Sequence, residues 1–323
     1  VHLSRWLAGL VIGGLAWIAA GTAFAADKLV VGIAGQASPM TWPYTIAMSK
    51  GYLAKRGIEF DIIYTPSASA AIQQLVGGSL DFVASTSINE PIHAAAKGAP
   101  VGILRMLGRV PPYAILAQPN IHSLKELKGK TIAVGGLVDI SRVYFERMLE
   151  PNGLKWGEYD AIVIGSTTGR MAALKSGAVS ATMLLPPFNF QAEQQGFNNI
   201  GLTVDYAGDL PFTASVLSLP WAAKHLDTTR NILAAFDEGL AWFNVPANRA
   251  EAISILVTTL GLKEDDVARS YDFLHKIEFF APDNKVSRGA IRRIAADMKA
   301  IGDYEEELDI DKLAIPGVTQ FGD

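Results

Sequence analysis

The 323 residues contain no cysteine, which excludes disulfides, thiolate metal sites and cysteine nucleophiles. Histidine is scarce as well. The five (His2, His93, His122, His225 and His275) are scattered, and none forms the i,i+4 pair of a helical zinc site. Neither a G-x-S-x-G elbow, a P-loop nor a G-x-G-x-x-G run occurs, so hydrolase and nucleotide chemistry lack their usual marks. No metal, cofactor or catalytic residue is expected. Positive charge is not in excess: 28 basic residues stand against 32 acidic ones, a net charge of −4. That balance gives no electrostatic reason to bind nucleic acid or an anionic membrane.

Long apolar runs are missing too, except at the start. Residues 1–25, VHLSRWLAGLVIGGLAWIAAGTAFA, carry Arg5, an apolar stretch from Trp6 to Ala20 and the small-residue ending Ala23-Phe24-Ala25. This has the form of a secretory signal, and the stretch is short for a membrane span of about 20 residues. Cleavage is expected after Ala25, which places small residues at both recognition positions; an uncleaved anchor is the alternative. Val1 is read as a non-AUG start. No cysteine follows the cleavage site to take a lipid, so a soluble protein of a bacterial periplasm is expected. The mature chain keeps roughly 298 residues, enough for two α/β lobes each with its own core.

What is present is a pattern written twice. Residues 72–85 read IQQLVGGSLDFVAS and residues 171–184 read MAALKSGAVSATML. Each predicts an amphipathic helix carrying a leucine (Leu75, Leu174), a glycine stop (Gly78, Gly177) and then a buried strand from Phe82 or Ala181. Each follows a strand ending in hydroxyl residues, Tyr64-Thr65-Pro66-Ser67 and Gly165-Ser166-Thr167-Thr168. Two similar units about 100 residues apart imply two similar lobes with a cleft between them.

Around these units the first lobe reads as strands Lys28–Ala34, Glu59–Tyr64, Phe82–Ser85 and Val101–Leu107. Ser87-x-x-Glu90 reads as a capping box. Tyr113–Gln118 is the expected crossing into the second lobe, and Thr213–Leu219 the return. The second lobe has strands Thr131–Val134, Ala161–Ile164 and Ala181–Leu185, and a helix from Ile140 to Leu149. Beyond Trp221 the chain is mostly helical, with Leu233, Phe236, Leu240 and Phe243 on one core-facing stripe. The expected division is 26–114 plus 213–323 for the first lobe and 115–212 for the second.

Five strings together resemble the type II periplasmic binding proteins of the nitrate/sulfonate/taurine class. They are IAMSKGYLAKRG (Ile46–Gly57), LVGGSLDFV (Leu75–Val83), LKELKGKTIAV (Leu124–Val134), ALKSGAVSA (Ala173–Ala181) and LPPF (Leu185–Phe188). They occur in the family's order, and the class also includes binders of thiamine-pyrimidine precursors. The resemblance implies a two-lobed α/β fold, each lobe a mostly parallel sheet flanked by helices. It also implies the role of solute-binding subunit of an ABC importer, probed by a permease and powered by a separate ATPase, with the binder itself a monomer. Ser180 departs from the pattern, standing where the family often carries an aspartate and where the first copy has Asp81; the position is read as structural. The superfamily's eukaryotic pyrimidine-synthase branch uses a cysteine-rich motif, and this chain has no cysteine to supply it.

In an open parallel sheet, ligands bind beyond the carboxyl ends of the strands, where helices begin and free N–H groups attract anions. The polar loops at those ends supply Gln36, Thr41, Trp42, Ser67, Ser85, Thr86, Asp139, Ser141, Thr167 and Phe188 as candidate ligand-binding residues. Any one serine or threonine there also reads as a plain N-cap. Trp42 and Phe188 are the aromatic candidates for stacking. Asp139 fits either a helix cap or an acceptor for a ligand N–H. Arg109, Arg142 and Arg170 are read as surface residues, with counter-charge as their second reading. The expected ligand is an organic sulfonate or carboxylate, then a pyrimidine, then nitrate, captured by lobe closure; an enzyme acting in the same cleft is the alternative class.

Overall fold

The computed structural model describes residues 27–34, 38–281, 283 and 285–322, so the expected signal and Gln36 lie outside the described residues. Two five-stranded sheets organise the chain. The first has the order β2-β1-β3-β10-β4, with β1 Asp27–Ala34, β2 Ile58–Thr65, β3 Phe82–Ser87, β4 Val101–Gly108 and β10 Thr213–Ser218. The second has the order β7-β6-β8-β5-β9, with β5 Ala114–Ala117, β6 Thr131–Val134, β7 Asp160–Val163, β8 Ala181–Leu184 and β9 Asn198–Leu202. Four strands of each sheet run in one direction, and one antiparallel strand, β10 or β5, sits between the third of them and the far edge. That antiparallel strand is the first strand after each crossing between the sheets. Ala114 is the first residue of β5 and pairs with Leu184 and Leu202.

The written repeat is a structural repeat. Helices Ala68–Val76 and Thr167–Lys175 occupy the same place before β3 and β8, and Ser67 and Ser166 cap them through bonds to the Ala70 and Gly169 N–H groups. Both helices end where Gly78 (φ 76°) and Gly177 (φ 75°) adopt the left-handed conformation, which a side chain would disfavour. At the turn before the buried strand the two copies are tied differently. Asp81 accepts the Val30 N–H at 2.9 Å and so ties the turn to β1, whereas Ser180 makes its tie through backbone alone, N–H to the Thr131 carbonyl at 2.7 Å.

Edge strands β2 and β7 keep partly exposed faces, while β4 is buried throughout, Arg105 included. The C-terminal helices extend the first lobe. Helix Leu226–Phe243 lays Phe236 and Phe243 against helix Trp42–Ser49, and helix Glu264–Lys276 reaches across to helix Phe188–Gln194 of the second lobe. There Gln191 donates to Asp266 at 2.8 Å, and Phe190 meets Phe273 edge-on. The expected capping box does not form. Ser87 bonds the side chain of Asn89, the following helix, Asn89–Ala96, has no side-chain cap, and Glu90 turns instead to Ser69.

Candidate functional site

A cleft of about 900 Å³ lies between the lobes, at the carboxyl ends of both sets of parallel strands. The loops after β1, β2 and β3 form one wall and those after β6, β7 and β8 the other. Seven of the sequence-derived residues line it: Ser67, Ser85, Thr86, Asp139, Ser141, Thr167 and Phe188. Several are engaged locally. Ser141 accepts the Gly135 N–H at 2.8 Å, and Asp139 caps helix Ile140–Leu149 by accepting the Ser141 N–H at 2.8 Å. A hydroxyl that accepts still has a proton to donate, so these bonds leave Ser67 and Ser141 able to serve a ligand acceptor. Thr86 stands apart. It is 2% exposed, and its hydroxyl has no partner among the described residues. A buried unpaired hydroxyl costs stability, and its place on the cleft wall suits a group kept for a ligand.

Two expected residues lie elsewhere. Trp42 is 1% exposed and packs edge-on against Phe243, with ring centroids 6.5 Å apart. It begins helix Trp42–Ser49 and belongs to the first lobe's core, not to the cleft. The sequence around it carries no core periodicity because its partner comes from a helix about 200 residues further on. Thr41 is buried in the preceding turn, its hydroxyl donating to the Ser38 carbonyl at 3.0 Å, and the cleft wall there is made by Ser38, Pro39 and Met40.

Arg170 corrects the sequence reading most sharply. It is 3% exposed and lines the cleft. Its Nε–H donates to the Met183 carbonyl at 2.9 Å, and Nη1 to the Ile164 and Gly165 carbonyls at 3.1 and 3.0 Å. Nη2 donates to the Thr167 hydroxyl at 3.1 Å. Four of the five guanidinium N–H groups are thereby used on neutral acceptors, and among the described residues no carboxylate forms an ion pair with it. Thr167, accepting from Arg170, has its own proton free to donate. A signal for Arg170 does exist in the sequence: in the repeat it aligns with Ala71, a fully buried position, so a cation stands where the first copy turns inward. Arg109 and Arg142 are local, paired with Glu278 and with Glu146 respectively.

Glu90 and Tyr113 were also missed. Burial pushes the Glu90 carboxyl above its ordinary range, opposed by hydrogen bonds from Ser69 (3.0 Å) and Asn89 (3.2 Å) and reinforced by the charges of Asp139 and Asp303. Burial likewise raises the Tyr113 phenol, with Arg170 acting against the rise. Among the described residues, no group of three or more His, Asp or Glu is placed to hold a metal ion, and no helix is long and apolar enough to cross a membrane.

The fold is that of solved periplasmic binding proteins. The periplasmic aliphatic sulphonate binding protein SsuA from Escherichia coli matches with a TM-score of 0.72 at 21% identity, over 90% of this chain and 98% of its own. The alkanesulfonate-binding protein SsuA from Xanthomonas axonopodis pv. citri, bound to MOPS, matches at 0.71 and 17%, over 91% and 98%. The periplasmic nitrate-binding protein NrtA from Synechocystis PCC 6803 matches at 0.65 and 19%, over 76% and 70%. No curated protein matches in sequence. The family model described as NMT1/THI5 like matches residues 38–244, and that match, spanning most of both sheets, establishes that the chain belongs to the NMT1/THI5-like family.

Proposed function

We propose that this protein is an extracytoplasmic solute-binding subunit of an ABC importer, capturing a small organic anion, a sulfonate or carboxylate, by closure of two lobes. The observation that carries the reading is Arg170: a sealed guanidinium on the cleft wall with no carboxylate among the described residues paired to it. A buried cation held only by carbonyl and hydroxyl oxygens is stabilised further by an anion placed against it. Thr86, Thr167 and the helix starts at Ser67 and Ser166 add donors around the same space, and Phe188 offers an apolar surface for the ligand's body.

The moving bodies in this reading are residues 26–114 plus 213–323 and residues 115–212, joined by the two crossings. The closed form would dock on a permease driven by a separate ATPase, and the signal at residues 1–25 would deliver the chain to the periplasm. The binding role without a reaction agrees with the names of the neighbouring structures. Closure worth a few kcal/mol is enough to shift the lobe populations decisively.

The test is calorimetric titration of the mature protein with alkanesulfonates and carboxylates, alongside mass spectrometry of any solute carried through purification. Arg170→Met should weaken anion binding about 100-fold or more. Undiminished binding in a folded Arg170→Met protein, or no binding of any organic anion by the parent, would overturn the reading. A carried solute recovered chemically altered would favour the enzyme class instead.

A further inference from the structure

Two helices of the second lobe begin at the cleft and continue to contacts with the first lobe. Helix Ile140–Leu149 starts beside the cleft-lining Asp139, Ile140 and Ser141, and helix Phe188–Gln194 starts at the cleft-lining Phe188. About two turns into the former, Arg147 pairs with Asp297 of helix Arg288–Ala300 at 2.7 Å. Arg293 of that first-lobe helix donates to the Asp209 carbonyl at 3.1 Å and meets its carboxylate at 3.4 Å. From the latter helix, Gln191 donates to Asp266 at 2.8 Å and Gln194 to Asp265 at 3.3 Å, both in the first turn of helix Glu264–Lys276. Arg269 of that helix lies over the Phe190 ring at 4.7 Å, with Glu193 3.6 Å away, and Phe273 meets Phe190 edge-on. The first-lobe helices are themselves seated. The Tyr271 hydroxyl donates to the Phe243 carbonyl at 2.7 Å, and Asp303, just past helix Arg288–Ala300, meets His93 at 3.1 Å.

We propose that helices Glu264–Lys276 and Arg288–Ala300 form a two-point strap that holds the second lobe in the seated arrangement of this structure. Gln191 and Arg147 then set ligand affinity as positioning residues, although neither lines the cleft. The proposal rests on the lobe-closure reading above and adds what presets the lobes before a ligand arrives. Two covalent crossings alone leave the angle between lobes soft. A helix of two or three turns is stiff, so where its far part is held decides where its first turn stands in the cleft wall. Asp266 is 8% exposed, and the Gln191 amide that bonds its carboxylate comes from the other lobe. Unseating the lobe would strip that buried group of its donor, a larger loss than parting two solvated charges. The partly exposed ion pairs are weak one at a time, but the two contact zones lie on separate helices and bias the same equilibrium, so their effects add. A ligand that binds the seated arrangement gains affinity in proportion to its population.

The experiment is small-angle scattering of the ligand-free mature protein and calorimetric titration with an alkanesulfonate, on the parent, Gln191→Glu and Arg147→Glu. Each variant sets a new carboxylate against one already present, Asp266 or Asp297. The radius of gyration, about 19 Å for a compact chain of this length, should rise by about 1 Å. Affinity should fall about fivefold or more, the fall expected when the seated fraction drops below a fifth. Adding Asp266→Asn to the first variant and Asp297→Arg to the second re-forms each pair in reverse, and both readouts should recover. Circular dichroism checks that every variant is folded, and recovery by re-pairing separates the strap from general damage. The proposal is overturned if both folded variants keep the parent's radius and affinity, or if the re-paired proteins stay expanded. Should the parent bind no alkanesulfonate, the anion reading fails, and the ligand-free radius still decides for or against the strap.

Discussion

The interior of the first lobe and the wall of the cleft each contain a sealed arginine and an unpaired polar atom, and the two sets behave differently. Arg105, 1% exposed, lies on β4 and is answered by Asp237, by the Ala281 carbonyl at 2.9 Å and by the face of Phe236 at 4.8 Å. Arg170 is similarly sealed, and among the described residues its oxygen partners are carbonyls, the Thr167 hydroxyl and the Tyr113 phenol, none of them a carboxylate. The unpaired Trp42 N–H belongs to a residue of the first lobe's core, whereas the unpaired Thr86 hydroxyl belongs to a residue that lines the cleft. On the reading proposed above, burial alone does not separate a structural polar group from a binding one. What separates them is whether the protein supplies the counter-charge or leaves room for something else to supply it.

The largest effect that tests this contrast is at Trp42. Trp42→Ala should destabilise the ligand-free protein by about 3–5 kcal/mol, the usual cost of truncating a buried aromatic, with near-normal affinity in the folded fraction. Denaturant unfolding and a binding isotherm on one variant separate the two. A stable variant that binds poorly would return Trp42 to the cleft.

Asp237→Asn should come next. Stripping the partner from a buried arginine is costly, but the Asp237 side chain is 42% exposed, so solvent screening reduces the loss to about 1–2 kcal/mol. Ligand affinity should not follow it, because the pair lies in the lobe interior. A fall in affinity as large as the fall in stability would show that the two arginines are not independent.

Thr86→Val sharpens the other side of the comparison. Removing a buried hydroxyl with no partner should raise ligand-free stability by about 1 kcal/mol while weakening anion binding. A stability–affinity trade of this sign is expected only of a polar group held in reserve. If Thr86→Val instead destabilises the free protein, the hydroxyl has a partner in the folded state.

The smallest effect is a pH dependence at Glu90. Ser69 and Asn89 donate to this carboxyl, while Asp139 and Asp303 face it as like charges and His93 lies beside Asp303. Its folded-state proton affinity is raised, so the folded protein holds the proton more tightly than the unfolded chain does. The resulting stability is complete below the ordinary value of 4.5 and is lost as pH rises through the elevated folded value. Glu90→Gln, which mimics the protonated form, should melt above the parent at neutral pH, and the gap should close as pH falls toward 4.5. A gap independent of pH would mean that Glu90 is not destabilised by its surroundings.

Local signals carried far in this chain. The repeat at 72–85 and 171–184 specified two helix–turn–strand units, because a helix period, a left-handed glycine stop and a buried strand are each written within a few neighbouring residues. The helix at Ile140–Leu149 and the strand at Thr131–Val134 were likewise legible, as were the hydroxyl and carboxylate positions at strand ends that border the cleft. Tertiary structure alone decided the rest. Trp42 entered the core because a helix some 200 residues later covers it, and Glu90 accepts from Ser69, on another helix, instead of capping its own. Arg170 turned inward because the carbonyls of Ile164, Gly165 and Met183 converge on it from two strand ends. Periodicity and capping are properties of consecutive residues, so sequence expresses them directly. The partner that neutralises a buried charge, or its absence, depends on segments far apart in the chain, and only the packed lobes bring those together.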